Sequence, residues 1–229
     1  MIIRRKLISL LIIAAGALSC APLAMSQAGT SVNEGDWPNI HGDAAARRYS
    51  PLDQINPDNV GDLEIAWDFS TLHFGVGTDY VNPSTPLEVD GVLYANIGST
   101  RNVVALDATN GQVLWLWRYQ EGDRFDEAPR KGAGRGVSYW SDGDSARIID
   151  VSPGYQLVSL DAETGIPDPN FGDNGLVDLY VGVRNGEDDR FAYPDIGLSA
   201  PPFVMNDVIV IGAAHRTGGR PRSKFNTKG

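Results

Sequence analysis

Arg135 sits between two glycines in the run Gly134-Arg135-Gly136-Val137-Ser138-Tyr139-Trp140. A guanidinium is planar, keeps its charge and can pair with a carboxylate through two parallel N–H bonds. Glycines on either side let the backbone come close to a flat ligand. The combination reads as a contact for a planar anion; the plainer alternative is a surface arginine in a glycine-rich loop. Two hydroxyls stand further along, Ser199 ahead of Ala200-Pro201-Pro202 and Thr217 after the apolar run that ends at Gly212. A hydroxyl at a strand entrance is the plain reading of Ser199.

Other chemistries find no support in the residue types. Three histidines and one cysteine, Cys20, make no zinc pattern. No Gly-x-Ser-x-Gly elbow occurs. Gly132-x-Gly134-x-Gly136 lacks the spacing and following helix of a nucleotide-binding loop, and Asp188-Asp189 reads as a solvated turn. The formal net charge of -10 argues against nucleic acid, because a phosphate-tracking surface needs clustered Lys and Arg.

The first residues read as an address. Arg4, Arg5 and Lys6 precede an apolar run from Leu7 to Leu18, and small residues at Ala24-Met25-Ser26 and Ser26-Gln27-Ala28 offer cleavage sites. The run is too short for the ~20 residues that span a bilayer. Residues 1–28 are therefore expected to be a cleavable secretory signal and residues 29–229 the mature part, periplasmic or otherwise extracytoplasmic. Cys20 leaves lipidation, and with it membrane association, open. Removing the signal removes three cations and no acids. It also removes the only cysteine, so the mature part must be stable without disulfides.

The elements that must position Arg135 and the hydroxyls come as repeats. Pro86 to Tyr94 reads as strand, Asp90-Gly91 turn, strand. Val103 to Asp107 is another strand, Thr109-Asn110-Gly111 its turn, and Val113-Leu-Trp115-Leu-Trp117 closes the unit. The grammar returns at Ile148–Val151, at Gln156–Asp161 and at the turn Glu163-Thr164-Gly165, with Leu-Asp at 106–107 and 160–161 lying 54 residues apart. Pro202 to Val210 matches the segment from Pro86 at an offset of 116, and the third unit lacks its later strands. A unit of 50 to 60 residues with about four short strands is what a propeller blade requires. The expected fold is thus all-β, a partial propeller of about two and a half blades; a β-sandwich with coincidentally similar hairpins is the alternative. Two and a half blades cannot close a ring, so a truncated record is expected. Asp107 and Asp161 end strands before turns and read as structural. Trp37, Trp67, Trp115 and Trp117 read as fillers of the space between sheets.

A specific family resemblance runs through these residues. Asp36-Trp37-Pro38, Gly42-Asp43, Arg48-Tyr49-Ser50-Pro51-Leu52, Gln54-Ile55-Asn56, Asn59-Val60, Leu63 and Ala66-Trp67 occur in order. They resemble the lead-in of the dehydrogenases that use pyrroloquinoline quinone (PQQ), especially the glucose-dehydrogenase-like branch. Ala105-Leu-Asp107-Ala-Thr-Asn-Gly111-Gln-Val-Leu-Trp115 resembles that family's tryptophan-docking motif, in which each Trp packs against the glycine turn of a neighbouring blade. The second copy, Asp161 to Pro169, lacks the Trp. The resemblance implies an eight-bladed ring, PQQ held by Arg135, Ser199 and Thr217, and a Ca²⁺ ion. Metal ligands and catalytic base would lie beyond Gly229. It implies oxidation of an alcohol, sugar or polyol, with electrons passed to a respiratory acceptor, a quinone or cytochrome. Pro129-Arg130 stands where the alcohol dehydrogenase branch has adjacent cysteines, which favours a sugar or polyol substrate. The rival is a non-catalytic propeller of the same repeats that acts as a protein-binding scaffold in the cell envelope.

Overall fold

A computed structural model describes residues 33, 35–75, 81–183 and 196–215. Residues 1–28, expected to be a secretory signal, with Cys20, Asp188-Asp189, and Thr217 with the basic tail around it lie outside the described residues.

Two four-stranded antiparallel sheets account for the first two repeats. The first runs in order through β1 (Leu87–Val89), β2 (Val92–Ile97), β3 (Asn102–Asp107) and β4 (Val113–Trp117). The second runs through β5 (Ser138–Ser141), β6 (Ala146–Val151), β7 (Gln156–Asp161) and β8 (Leu176–Asp178). Each strand pairs with the next in the chain, the meander a propeller blade is made of. A third unit begins with β9 (Ile196–Gly197), the hairpin of β10 (Phe203–Met205) and β11 (Val208–Val210), and β12 (Ala214–His215), which pairs with β9. The two hairpins read as equivalent turn the same way. Asp90 and Asn206 have φ of 52° and 53°, the left-handed conformation a two-residue hairpin turn demands. The sequence did not signal the single helical turn α1 (Asp123–Glu127) between the two sheets.

Strand alternation buries both faces of each sheet, as a stacked blade requires. On β3, Val103 and Ala105 face the second sheet, where they join Ile148, Val158 and Leu160 in one core. Val104 and Leu106 face the other way and are covered by Trp67, Phe69 and Phe74 of the lead-in. Trp37 fixes the start of that lead-in, exchanging backbone hydrogen bonds with Glu88 of β1 at 2.7 and 3.1 Å.

The tryptophans dock as the resemblance implied. Trp67 covers Gly111, and its Nε1 donates to the Ala108 carbonyl at 3.1 Å. Trp115 covers Gly165 in the same way, donating to the Ala162 carbonyl at 2.9 Å. Asp107 and Asp161 hold the two turns by accepting from the backbone N–H of Thr109 and Thr164, each at 2.8 Å. The next junction, where the repeat lacks its Trp, is filled differently. Ile149, Val151, Tyr155 and Leu157 pack with Ile196 and Leu198, and Val204 and Ile209 of the third hairpin close over them.

Candidate functional site

The loop from Arg130 to Gly136 leads into β5 and carries Arg135. Gly132, Gly134 and Gly136 all have positive φ, at 95°, 80° and 131°, which L side chains rarely adopt. Two of the three lie against other parts of the protein. A Cβ on Gly134 would lie 2.9 Å from Nε of Arg101, and one on Gly136 would lie 2.8 Å from the Thr85 carbonyl, whereas Gly132 has nothing within 4 Å. The glycines flanking Arg135, expected to admit a flat ligand, thus have a more immediate reason, since they let the loop lie directly on the Arg101 turn and on the segment before β1. The Arg135 carbonyl in turn accepts from Thr85 N at 3.1 Å.

Arg135 and Ser199, 64 positions apart in the sequence, line one cleft of about 380 Å³. The loop 130–135 forms one wall and residues 198–200 the other, with Val81, Pro83 and Ala214 completing it. Among the described residues three cations, Arg130, Lys131 and Arg135, line it and no acid does, in a chain of formal net charge -10. Such a concentration of one sign in a concave site focuses potential and favours anions. The Lys131 ammonium is engaged at the rim, donating to the Asp126 carbonyl at 2.7 Å and resting over the Phe125 ring. Arg130 is different: its Nε is buried and has no hydrogen-bond partner. A buried donor left unpaired is uncommon and unfavourable.

Beneath the cleft lies a buried polar layer that the sequence reading did not single out. Asn96 of β2 donates to Asp150 of β6 at 2.9 Å, and its side-chain oxygen accepts from Gly136 N at 3.2 Å. Arg101, on the turn between β2 and β3, reaches carbonyls on both cleft walls. Burial pushes the Asp150 carboxyl up from its ordinary 3.8 to about 6, with the Arg101 charge opposing the shift. Burial also pushes the Arg101 guanidinium down, and here Asp150 opposes it. A signal was present. Asp150 interrupts the apolar run Ile148-Ile149-Asp150-Val151, and Asn96 lies one repeat of 54 residues before it.

Among the described residues no group of three or more His, Cys, Asp or Glu side chains could hold a metal ion. No ligand set for Ca²⁺ is therefore assigned.

The comparisons with known proteins agree with the fold. Residues 37–227 match the family model described as PQQ: glucose/ethanol/alcohol dehydrogenase, beta-propeller domain. The glycerol dehydrogenase large subunit of Gluconobacter thailandicus is 30% identical over 204 residues, 84% of this chain and 26% of that protein. The dehydrogenase subunit of the quinone alcohol dehydrogenase of Gluconobacter oxydans is 35% identical over 163 residues, 66% of this chain and 20% of that protein. Among solved structures, the quinohemoprotein alcohol dehydrogenase of Comamonas testosteroni superposes with a TM-score of 0.59 at 28% identity, covering 79% of this chain and 23% of that one. The chain spans about a quarter of the length of these relatives.

Proposed function

Because the chain belongs to the PQQ β-propeller family of glucose, ethanol and alcohol dehydrogenases, we propose that it is the N-terminal part of an exported PQQ-dependent oxidoreductase. The full-length protein oxidises an alcohol, sugar or polyol and passes the electrons to a respiratory acceptor, a quinone or cytochrome. The observation that carries the reading is the cleft that gathers Arg130, Lys131 and Arg135 with Ser199 and, among the described residues, no acid.

The residues present fit the cofactor. PQQ is a flat tricarboxylate, and when bound it supplies the electron-accepting quinone for alcohol oxidation. Arg135 pairs with a carboxylate edge through its planar fork. Arg130 adds positive charge to the same wall, and Ser199 supplies a hydroxyl from the opposite wall. Thr217 belongs to the same proposal as a further contact. Ca²⁺ is the hard cation that the family resemblance supplies; no residue of this chain is assigned to it. Pro129-Arg130, in place of adjacent cysteines, supports a sugar or polyol over a simple alcohol. Relatives named as glycerol and glucose dehydrogenases are compatible with that choice, and relatives named as alcohol dehydrogenases keep simple alcohols in the test. A cleft whose charged lining, among the described residues, is three cations favours a small anionic ligand over a protein-binding scaffold.

The test is reconstitution of the full-length protein with PQQ and Ca²⁺, followed by dye reduction with glycerol, glucose, other polyols and ethanol. Cofactor-dependent turnover with at least one of them is expected. Its absence across the panel would refute the proposal.

A further inference from the structure

Arg101 is only 3% exposed, and its backbone has a φ of 54°. The guanidinium donates to four main-chain carbonyls. Nη1 reaches Val151 and Leu198, both at 2.7 Å, Nη2 reaches Arg130 at 2.8 Å, and Nε reaches Gly132 at 3.2 Å. Those carbonyls belong to three separate stretches of chain: the end of β6, the loop that carries Arg135, and the segment that carries Ser199. Leu198 immediately precedes Ser199. Arg130 and Gly132 lie within five residues of Arg135.

A buried guanidinium is expensive to desolvate, and neutral carbonyls repay only part of that. An apolar side chain could fill the space more cheaply, but it could not tie three backbone segments to one plane. Lysine could not either, because its donors radiate from a point whereas a guanidinium spreads five N–H groups over a rigid fork. The loop conforms to that fork, since Gly134 has no side chain where a Cβ would lie 2.9 Å from Arg101 Nε.

We propose that Arg101 is a positioning residue that clamps the two walls of the cleft, holding Arg135 and Ser199 at the separation at which both reach one bound ligand. The ligand part rests on the PQQ reading above; the clamp itself does not. The preorganisation it gives lowers the ordering that a ligand would otherwise have to impose.

The test uses the full-length protein and two independent readouts. In Arg101→Lys without cofactor, amide hydrogen exchange is expected to accelerate in both 130–136 and 198–200, while the Trp-docked turns 109–111 and 164–165 exchange as in the wild type. PQQ affinity, followed by quenching of tryptophan fluorescence, is expected to weaken about tenfold. Gly165→Ala, which disturbs a blade junction away from the cleft, serves as the destabilised control and should keep wild-type affinity. Gly134→Ala, which pushes the loop off the guanidinium, is expected to give the same two signatures as Arg101→Lys and covers the case in which Arg101→Lys does not fold. Wild-type exchange in either wall overturns the clamp, and so does an affinity loss no greater than that of the control. If the wild type binds no PQQ, the cofactor reading fails and the exchange data alone decide the clamp.

Discussion

Gly165→Ala and Gly91→Ala put one methyl group into the same backbone conformation in two different surroundings. Gly165 has a φ of 70° and Gly91 a φ of 78°, so each alanine bears the penalty of a left-handed residue, about 1–2 kcal/mol. The surroundings then separate them. At Gly91 no atom lies within 4 Å of the added Cβ, whereas at Gly165 it falls 2.5 Å from Cε3 of Trp115 and 2.6 Å from Cδ2. The Trp115 ring cannot simply move aside. It is packed in the core between the two sheets, its Nε1 is held by the Ala162 carbonyl, and Tyr94 lies against it with ring centroids 6.0 Å apart. Overpacking a fixed site typically costs a further 1–3 kcal/mol. Gly165→Ala should therefore lose about 2 kcal/mol more than Gly91→Ala. Urea unfolding of the full-length protein measures both, and the comparison holds if the midpoints shift and the slopes do not. The pair Gly165→Ala with Trp115→Phe should be markedly less destabilising than the sum of its singles, because the smaller ring makes room for the methyl. Equal losses at Gly91 and Gly165 would mean that the Trp is not a rigid partner of the turn, and the account of how the blades lock would be wrong.

Asp150→Asn tests the buried layer by its pH dependence. The folded-state pKa of Asp150 is raised to about 6, so the stability its protonated form contributes is present at low pH and is lost as pH rises from about 4 to 6. Over that window the wild type should lose about 2–3 kcal/mol relative to the Asn variant, read from urea midpoints at pH 4 and pH 7; a difference that stays flat with pH contradicts the assignment. Arg135→Ala should weaken PQQ binding at least tenfold, about 1.4 kcal/mol, with little change in apo stability, since Arg135 is exposed; fluorescence titration and a thermal melt separate the two. Arg124→Ala removes an ion pair to Asp178 at 2.5 Å and a stack on Tyr180 at 4.4 Å, and should cost about 1–2 kcal/mol. Arg47→Ala removes an exposed pair with Asp43 and should leave the urea midpoint where the wild type has it, because solvent screens such a pair.

The fold was legible because the blade repeat writes its turns and docking residues in full. Asp107 and Asp161, with Gly111 and Gly165, occur in register because each turn must present the same bare backbone to a tryptophan. The cleft was legible only in part. Arg135 stood out between glycines, and Ser199 could be named from the resemblance, but nothing local said that the two face one space. That depends on β9 and the loop before β5 being brought together by packing distant in sequence. Arg101 and Asn96 escaped notice because a single polar residue near a turn usually faces water. Here their burial comes from the next blade and the loop laid over them. Asp150 could have been found, since a carboxylate amid Ile148, Ile149 and Val151 calls for a buried partner.

The same repeat therefore does two jobs at opposite ends of its strands. At the end of β3 marked by Asp107, the first two blades keep the same residues, because both turns receive a tryptophan. At the end marked by Asn102, they diverge. Asn96 of the first blade becomes Asp150 in the second, and the left-handed turn residue Arg101 becomes Tyr155, with φ of 54° and 61°. Identical side chains there would set two carboxylates or two amides face to face, and would set a second guanidinium in the place of Tyr155, which packs in the next apolar core. The Asn96–Asp150 hydrogen bond at 2.9 Å joins equivalent positions of successive blades, an amide donor meeting a carboxylate acceptor. In these two blades the turn positions that receive a tryptophan, Asp107/Asp161 and Gly111/Gly165, are kept, while Asn96/Asp150 and Arg101/Tyr155, at the end facing the cleft, differ.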